Sequence, residues 1–470
     1  MNAYPSQPPP ISLNGKTPHV VIVGAGLAGL FLAILLDLQG VPYEIYERAK
    51  AIRPLGGVMS LNANILPVFE QLGLLEELKS ISLPTSDFHV YKSNMKLISA
   101  IEGVGSEELV GYDYQLFARP NLYDIFLARI PPGRLHLNKK VMSIAQGREG
   151  VMIRCSDGTT YHGDILVGAD GAYSGVRQSL YKMLQAENLL PESDMRTMGK
   201  GFSCLVGTTD PLDPEKYPIL KNKRAILYQI VGDRNQYTWS AVNVPDNRIC
   251  WNVVSQFASI SEAEDEKFRN SEWGSGANEG IINEVKDFLV PIGGAMGDLI
   301  SATQPDTISR VILEDKIFKT WSYKRVVLIG DACHKLLPSA GQGAVNALQD
   351  AVILANCIYD LESLLPGDIS AALEDYRHQR YPHVVEQYDA SKINAKIIYG
   401  QTAFEKLIRN VVLNYLPKSV QAKNAMKNLA YRPQATFLPL VPKRGKGPVL
   451  PQKPSKRYEA EQNKARARVI

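Results

Sequence analysis

Three glycine-rich strings carry the residues of this chain that could do chemistry. The first, Gly24-Ala-Gly26-Leu27-Ala28-Gly29, follows the apolar run His19 to Val23 and opens a helical pattern over Leu27 to Gln39 that Gly40 stops. In this spacing Gly24 permits a tight turn, Gly26 lets the backbone approach a pyrophosphate, and Gly29 lets helix and strand pack closely, with the helix N-terminus facing the phosphate charge. Glu47 stands at the end of the next apolar run, Val41 to Tyr46, where a carboxylate can accept hydrogen bonds from a ribose. The bland alternative is a strand-to-helix turn with no ligand. Strand, helix and acid together favour a dinucleotide, without choosing between NAD and FAD.

The other two strings also follow apolar runs. Gly168-Ala-Asp170-Gly171-Ala-Tyr-Ser174-Gly-Val-Arg177 comes after Asp164 to Val167, and Gly330-Asp331-Ala-Cys333-His334 comes after Arg325 to Ile329, continuing into Pro338-Ser-Ala-Gly341-Gln342-Gly343. Taken alone, Asp331 would be a helix cap or a turn former. The three motifs in this order resemble the single-component flavin monooxygenases of the aromatic-hydroxylase type, a family that includes phenol, salicylate and kynurenine hydroxylases and fungal natural-product epoxidases. The match spans most of residues 18 to 365 and is lost in the tail.

The resemblance implies non-covalently bound FAD. It implies that Asp170, Gly171 and Arg177 lie near the pyrophosphate and are linked to both FAD and NAD(P)H, and that Gly330 and Asp331 place an acid on the ribitol. Pro338 to Gly343 would then feed a helix whose N-terminal amides stabilise charge on the reduced flavin. Arg119 matches a family arginine near the FAD, although a lone arginine is as often a surface ion pair. Arg48 completes an acid-basic pair with Glu47 at the adenosine half. Gly56-Gly57-Val58 through Asn64 resembles the loop beside the flavin ring, with Asn62-Ala63 departing from the usual proline and asparagine, and Cys333 standing where alanine is common. His334 supports its loop in this family, and a general-base role is the lesser reading.

The elements that must position these strings belong to an α/β fold. A Rossmann-like FAD-binding domain of the glutathione-reductase type is expected over 18–82, 119–180 and 314–365, interrupted by a β-rich substrate domain over 83–118 and 181–313. Within the insertion, Arg224 to Val231, Gln236 to Val244 and Ile249 to Gln256 read as an antiparallel meander joined by Gly-Asp-Arg-Asn and Pro-Asp-Asn-Arg turns. Tyr228, Trp239 and Trp251 there are candidates to face a substrate, with core packing an equal alternative. C-terminal helices follow over 366–430, then a proline-rich basic tail over 431–470, and residues 1–17 read as a loose polar arm without a signal-peptide pattern.

Composition narrows the class further. The 470 residues carry 21% charged and 45% hydrophobic side chains, ordinary values for a large globular chain. Five scattered cysteines without C-x-x-C spacing argue against zinc or a disulfide framework and for a reducing, cytoplasmic setting; the histidines show no ligand spacing, so no metal is expected. Net charge is +4, yet Lys443 to Ile470 alone holds nine Lys or Arg against Glu459 and Glu461. That tail reads as a solvated, partly disordered end; peripheral membrane contact through it and Phe404 to Leu416 is the minor alternative. No base-stacking aromatics accompany it, so nucleic acid is not a partner.

No second G-x-G-x-x-G follows a strand, since Gly274-Ser-Gly276 lacks the third glycine. NAD(P)H would therefore visit the flavin transiently. The resemblance implies that it reduces the FAD, that O2 adds to form a flavin hydroperoxide, and that one oxygen atom hydroxylates or epoxidises a small organic substrate, aromatic or prenylated/polyketide. No catalytic side chain is assigned, because the cofactor carries the chemistry. The competing readings are another FAD oxidoreductase, reductase-like or halogenase-like, and an FAD-binding protein without turnover. The W-x-W-x-I-P signature of flavin halogenases is missing.

Overall fold

The computed structural model describes residues 17–52, 56–85, 87–102, 106–232, 237–257, 278–400, 402–415 and 417–467. The Gly274-Ser-Gly276 segment, most of the 1–17 arm and part of the Gly-Asp-Arg-Asn turn lie outside them.

β1 (Val20–Val23) is buried along its whole length. It pairs in parallel with β2 (Tyr43–Tyr46) on one side and with Ile165–Gly168 on the other. Val326–Leu328 adds in parallel beyond Ile165–Gly168, and Ser322–Tyr323 and Leu135–His136 close the two edges. Continuous β-branched runs suit these strands because both faces are covered. Parallel order has a direct consequence: the loops leaving Val23, Gly168 and Leu328 emerge at one edge of the sheet, where ligands of open α/β sheets bind.

α1 (Leu27–Leu38) buries eleven of its twelve residues, so the longest apolar run of the chain is a central helix rather than a surface one. It packs against the helix Gly343–Tyr359, whose buried side includes Leu348, Ala351, Val352, Leu354 and Ala355. Among the described residues, no helix is long and apolar enough to cross a membrane.

The second layer is an eight-stranded sheet built from Asp87–Lys92, Leu97–Ile101, Gly199–Thr208, Ile226–Val231, Tyr237–Val244, Arg248–Gln256, Ser309–Ile317 and His334–Lys335. The meander pairs antiparallel as its alternation requires, while Ile226–Val231 pairs in parallel with Asp87–Lys92. Its limits differ from the expected 83–118 and 181–313. Leu83–Thr85 and Tyr114–Ala118 instead join Val58–Leu61 in a small antiparallel sheet, and the large sheet runs on through Ile317. A further three-stranded sheet, Val141–Gln146, Val151–Cys155 and Thr160–Gly163, hangs on the first domain.

The faces of the large sheet are distinct. Leu205, Ile230, Trp239, Ala241, Trp251 and Val253 point away from the first domain, beneath a cover that includes Val285, Val290, Met296 and Leu299. The indoles are tied there, Trp239 Nε1 donating to Leu289 O at 2.8 Å and Trp251 Nε1 to Thr303 Oγ1 at 2.9 Å. Tyr228 packs on the same side. Of the two readings of these three aromatics, core packing is the one their positions match.

The basic tail is folded, not loose. Ala435, Phe437 and Leu438 are buried in the main core, and Lys456–Ala467 forms a helix. Its cations find acids on the body: Arg444 pairs with Glu70, Lys446 with Glu108 and Lys453 with Asp375. Most described residues from Lys443 onward are exposed, as expected of a solvated end, but that end is helical over Lys456–Ala467 and paired to the body rather than loose. Ahead of it, the helix Ala403–Tyr415 leaves Phe404, Leu407 and Val411 exposed.

Candidate cofactor and active site

The three loops meet as the parallel order requires. Gly24 has φ +106°, and a Cβ there would lie 2.4 Å from the Ala169 carbonyl oxygen, so the first motif abuts the second. At Gly29 a Cβ would meet the Gly24 oxygen at 2.1 Å, while at Gly26 nothing lies within 4 Å. Two of the three glycines are thus consumed by packing, and the middle one faces open space of the kind a pyrophosphate needs. Gly330 brings the third motif in: its Cβ would lie 3.1 Å from Ala347 Cβ and 3.5 Å from Ala28 Cβ, on the turn next to Leu27.

Glu47 accepts from Ala25 N–H and Ala49 N–H, each at 2.8 Å, which fixes its carboxylate beside the glycine turn. Tyr123 reinforces that turn by donating to Ala25 O at 2.6 Å. Arg48 is exposed next to it. Asp170 accepts from Ser174 Oγ, Gly175 N–H and Val176 N–H and so caps the helix Gly175–Ala186, with burial pushing its pKa up against those donors. Gly171, at φ +79°, makes the turn between them.

Arg177 is buried and donates to Ala332 O at 2.8 Å and Ala172 O at 2.6 Å, with its guanidinium over the Phe318 ring. It therefore clamps the second loop to the third, using its donors inside the protein.

The third loop carries the charges of the cleft. Asp331 pairs with Lys335, and Arg119 acts on it across the cleft. Burial alone would raise the Asp331 pKa, but Lys335, His334 and Arg119 together hold it below the usual carboxylate value. Arg119 is exposed, while surrounding protein lowers its pKa by desolvation against the pull of Asp331. Its aliphatic stem covers Gly56, whose φ of +136° lets the loop pass. A Cβ at neighbouring Gly57 would lie 3.3 Å from Val206 Cβ on the large sheet, so this loop bridges the two layers.

Pro338–Ala340 forms a 3-10 turn, Gly341 sits at φ +62° with a Cβ 3.5 Å from Ser60 Oγ, and the helix begins at Gly343 with Gln342 as its cap. Gln342 also borders a small polar cavity with Asn64, Gln349, His383 and Tyr431.

His334 is not poised for proton transfer. It is 1% exposed and meets Asp350 Oδ2 at 2.5 Å, and that oxygen also accepts from Gly330 N–H at 2.8 Å. Arg380 completes the group through Nε to Asp350 Oδ1 at 2.8 Å. Cys333, His334 and Asp350 lie close enough to hold a metal ion, but Arg380 already supplies the positive charge. The sequence reading missed Lys335, Asp350 and Arg380. Asp350 gave one signal, an acid on a helix otherwise apolar at Ala347, Leu348, Ala351 and Val352.

One sheet edge thus gathers the glycine turn, Glu47 and the charged Asp331 loop. The family model described as an FAD binding domain matches residues 17–391. The chain belongs to that family. FAD is its cofactor. The chain is 28% identical over 451 residues to the FAD-dependent monooxygenase olcE of Penicillium canescens, covering 91% of each. With the FAD-dependent monooxygenase spyC of Aspergillus fumigatus it shares 28% identity, covering 93% of this chain and 91% of the relative. Among solved structures it resembles Klebsiella pneumoniae HpxO complexed with FAD and uric acid, with TM-score 0.71 at 20% identity, covering 88% of this chain and 97% of that one. It also resembles 2,6-dihydroxypyridine-3-hydroxylase from Arthrobacter nicotinovorans, with TM-score 0.64 at 19% identity, covering 83% and 95%. Such distant likenesses speak for the fold.

Proposed function

We propose that this FAD-dependent monooxygenase uses NAD(P)H and O2 to place one oxygen atom on a small organic substrate held between the cofactor cleft and the large sheet. The balance is one substrate, one O2, one NAD(P)H and one proton giving the oxygenated product, water and NAD(P)+. Bound FAD supplies the two-electron and oxygen chemistry. The chain's part is to bind, orient and keep water out: Glu47 and the Gly26 approach serve the adenosine and pyrophosphate half, and Asp331 with Arg119 the ribitol region. The N-terminal amides at Gly343 would face negative charge on the reduced ring.

The observation that carries this reading is the meeting of all three motif loops at one sheet edge, directly across from a second layer reached through Gly57 and Val206. Likeness to proteins named FAD-dependent monooxygenases over nine-tenths of their length supports it. Absence of a second dinucleotide fingerprint fits a transient visit by NAD(P)H. Free, buried thiols fit a reducing compartment such as the cytoplasm.

The test is spectroscopic. Purified protein loaded with FAD is mixed with NADPH or NADH without oxygen, then aerated. Flavin bands that bleach and return, with oxygen uptake, are the expected outcome. Bands that never bleach with either nucleotide would remove the proposed electron donor.

A further inference from the structure

The register of the large sheet places four residues in one row across adjacent strands. Gln229 pairs with Ser240, Ser240 with Asn252, and Asn252 with Val206. Paired residues project to the same face, and Val206 meets Gly57, so this row looks at the flavin-side loop. The rows on either side belong to apolar clusters. Two residues along in one direction, Val242 and Cys250 pack with Leu116 and Ala118. In the other direction, Cys204 and Val254 pack with Leu337, Ala395 and Tyr399. A polar row is thus enclosed between two greasy walls.

Asn252 is the accessible polar member. It lies on an interior strand flanked on both sides, yet is only half-buried, whereas Ser240 and Gln229 are 2% and 6% exposed. Exposure at such a place requires open space over that face. Asn252 Nδ2 donates to Ser240 Oγ at 2.5 Å, and Gln229 Nε2 donates to Trp239 O at 3.0 Å. That leaves Asn252 Oδ1 as an acceptor and the Ser240 hydroxyl proton as a donor, neither spent on another described residue. Beside them on the same face, Thr238 is 1% exposed and its Oγ1 has no partner among the described residues. Buried polar groups left open in this way are costly unless something completes them.

We infer that Asn252, backed by Ser240, is the specificity-determining anchor for a hydroxyl on an otherwise apolar substrate. A hydroxyl can donate to Asn252 Oδ1 and accept from Ser240 Oγ, while the two apolar clusters take the hydrocarbon body. The inference rests on the reading that the substrate lies between the cleft and this sheet.

Matched probes test it on FAD-loaded protein: 2-naphthol against 2-methylnaphthalene, of the same shape but without the hydroxyl, titrated by their perturbation of the flavin absorbance. Native protein should prefer 2-naphthol by about tenfold. Asn252→Leu should bring the two probes to within about threefold of each other by removing the amide oxygen that accepts from the hydroxyl and the amide nitrogen that holds Ser240. Asn252→Ala, smaller than the native side chain and free of packing strain, should do the same. Preference retained by either folded variant, or probes that leave the native flavin bands unmoved, would overturn the inference. Protein that shows no flavin bands after loading would instead fail the cofactor reading, so the two failures are told apart.

Discussion

Arg380 and Asp350 form an ion pair wholly out of solvent, Nε to Oδ1 at 2.8 Å, linking the long helix Pro366–Tyr399 to the helix Gly343–Tyr359, whose Asp350 Oδ2 in turn holds Gly330 and His334 of the Asp331 loop. Removing one partner of such a pair strands the other charge. Arg380→Met is expected to cost about 3–5 kcal/mol in chemical denaturation. The double variant Arg380→Met with Asp350→Leu should recover part of that loss. A single variant as stable as the native protein would show that the pair does not brace the loop.

Stability should also fall in acid, in two stages. Burial, then the Arg380 charge, pull the His383 pKa down to about 4. The unfolded histidine takes up its proton near pH 6.5, so this contribution is complete above that pH and is lost as pH falls toward 4. Burial would raise the Asp350 pKa, but His334 and Arg380 reverse the shift, and its contribution is lost lower still, as pH drops through its depressed folded value. Denaturation midpoints measured from pH 7.5 to 4 should decline, and His383→Asn should flatten the upper part of that decline. An unchanged slope in the variant would assign the loss to other groups.

The first and last glycines of the fingerprint should part company from the middle one. Gly26→Leu points into open space, so the fold should stand while FAD affinity drops by ~100-fold or more, about 2.7 kcal/mol. Gly29→Ala puts a methyl 2.1 Å from a carbonyl oxygen and should lower the melting temperature of the apoprotein itself. Equal effects of the two on apoprotein melting would contradict this division.

Asp331 is held ionised beside Lys335 and Arg119. Asp331→Ala should weaken FAD binding by roughly 10–100-fold, the range for hydrogen bonds to a charged group. Fluorescence titration of the apoprotein with FAD measures it, and a dissociation constant within error of native would place the ribitol elsewhere.

What the sequence disclosed follows from how local each signal was. The strands ending at Val23, Gly168 and Leu328 are short continuous apolar runs closed by glycine, and the Gly24–Gly29 motif states its own turn geometry, so the fold and the loop edge were readable. Arg177 looked like a ligand contact because a motif records that an arginine is needed, not which oxygen it seeks; two backbone carbonyls take it. Arg380 gave no local signal, since its partner is set by tertiary packing, whereas Lys335 stands only four residues after its partner Asp331. The order of the tail was hidden for a related reason: its cations are matched by Glu70, Glu108 and Asp375, acids far away in the chain.

The strand order also dictates a timetable. β1 is synthesised some three hundred positions before Val326–Leu328, the strand that completes the sheet sheltering it. At ~5–20 residues per second, the ribosome needs about 15–60 s to deliver that strand. Throughout this interval α1, built to be buried on nearly every side, has no finished cavity to enter, so its apolar surface stays uncovered long before the chain can hold a cofactor.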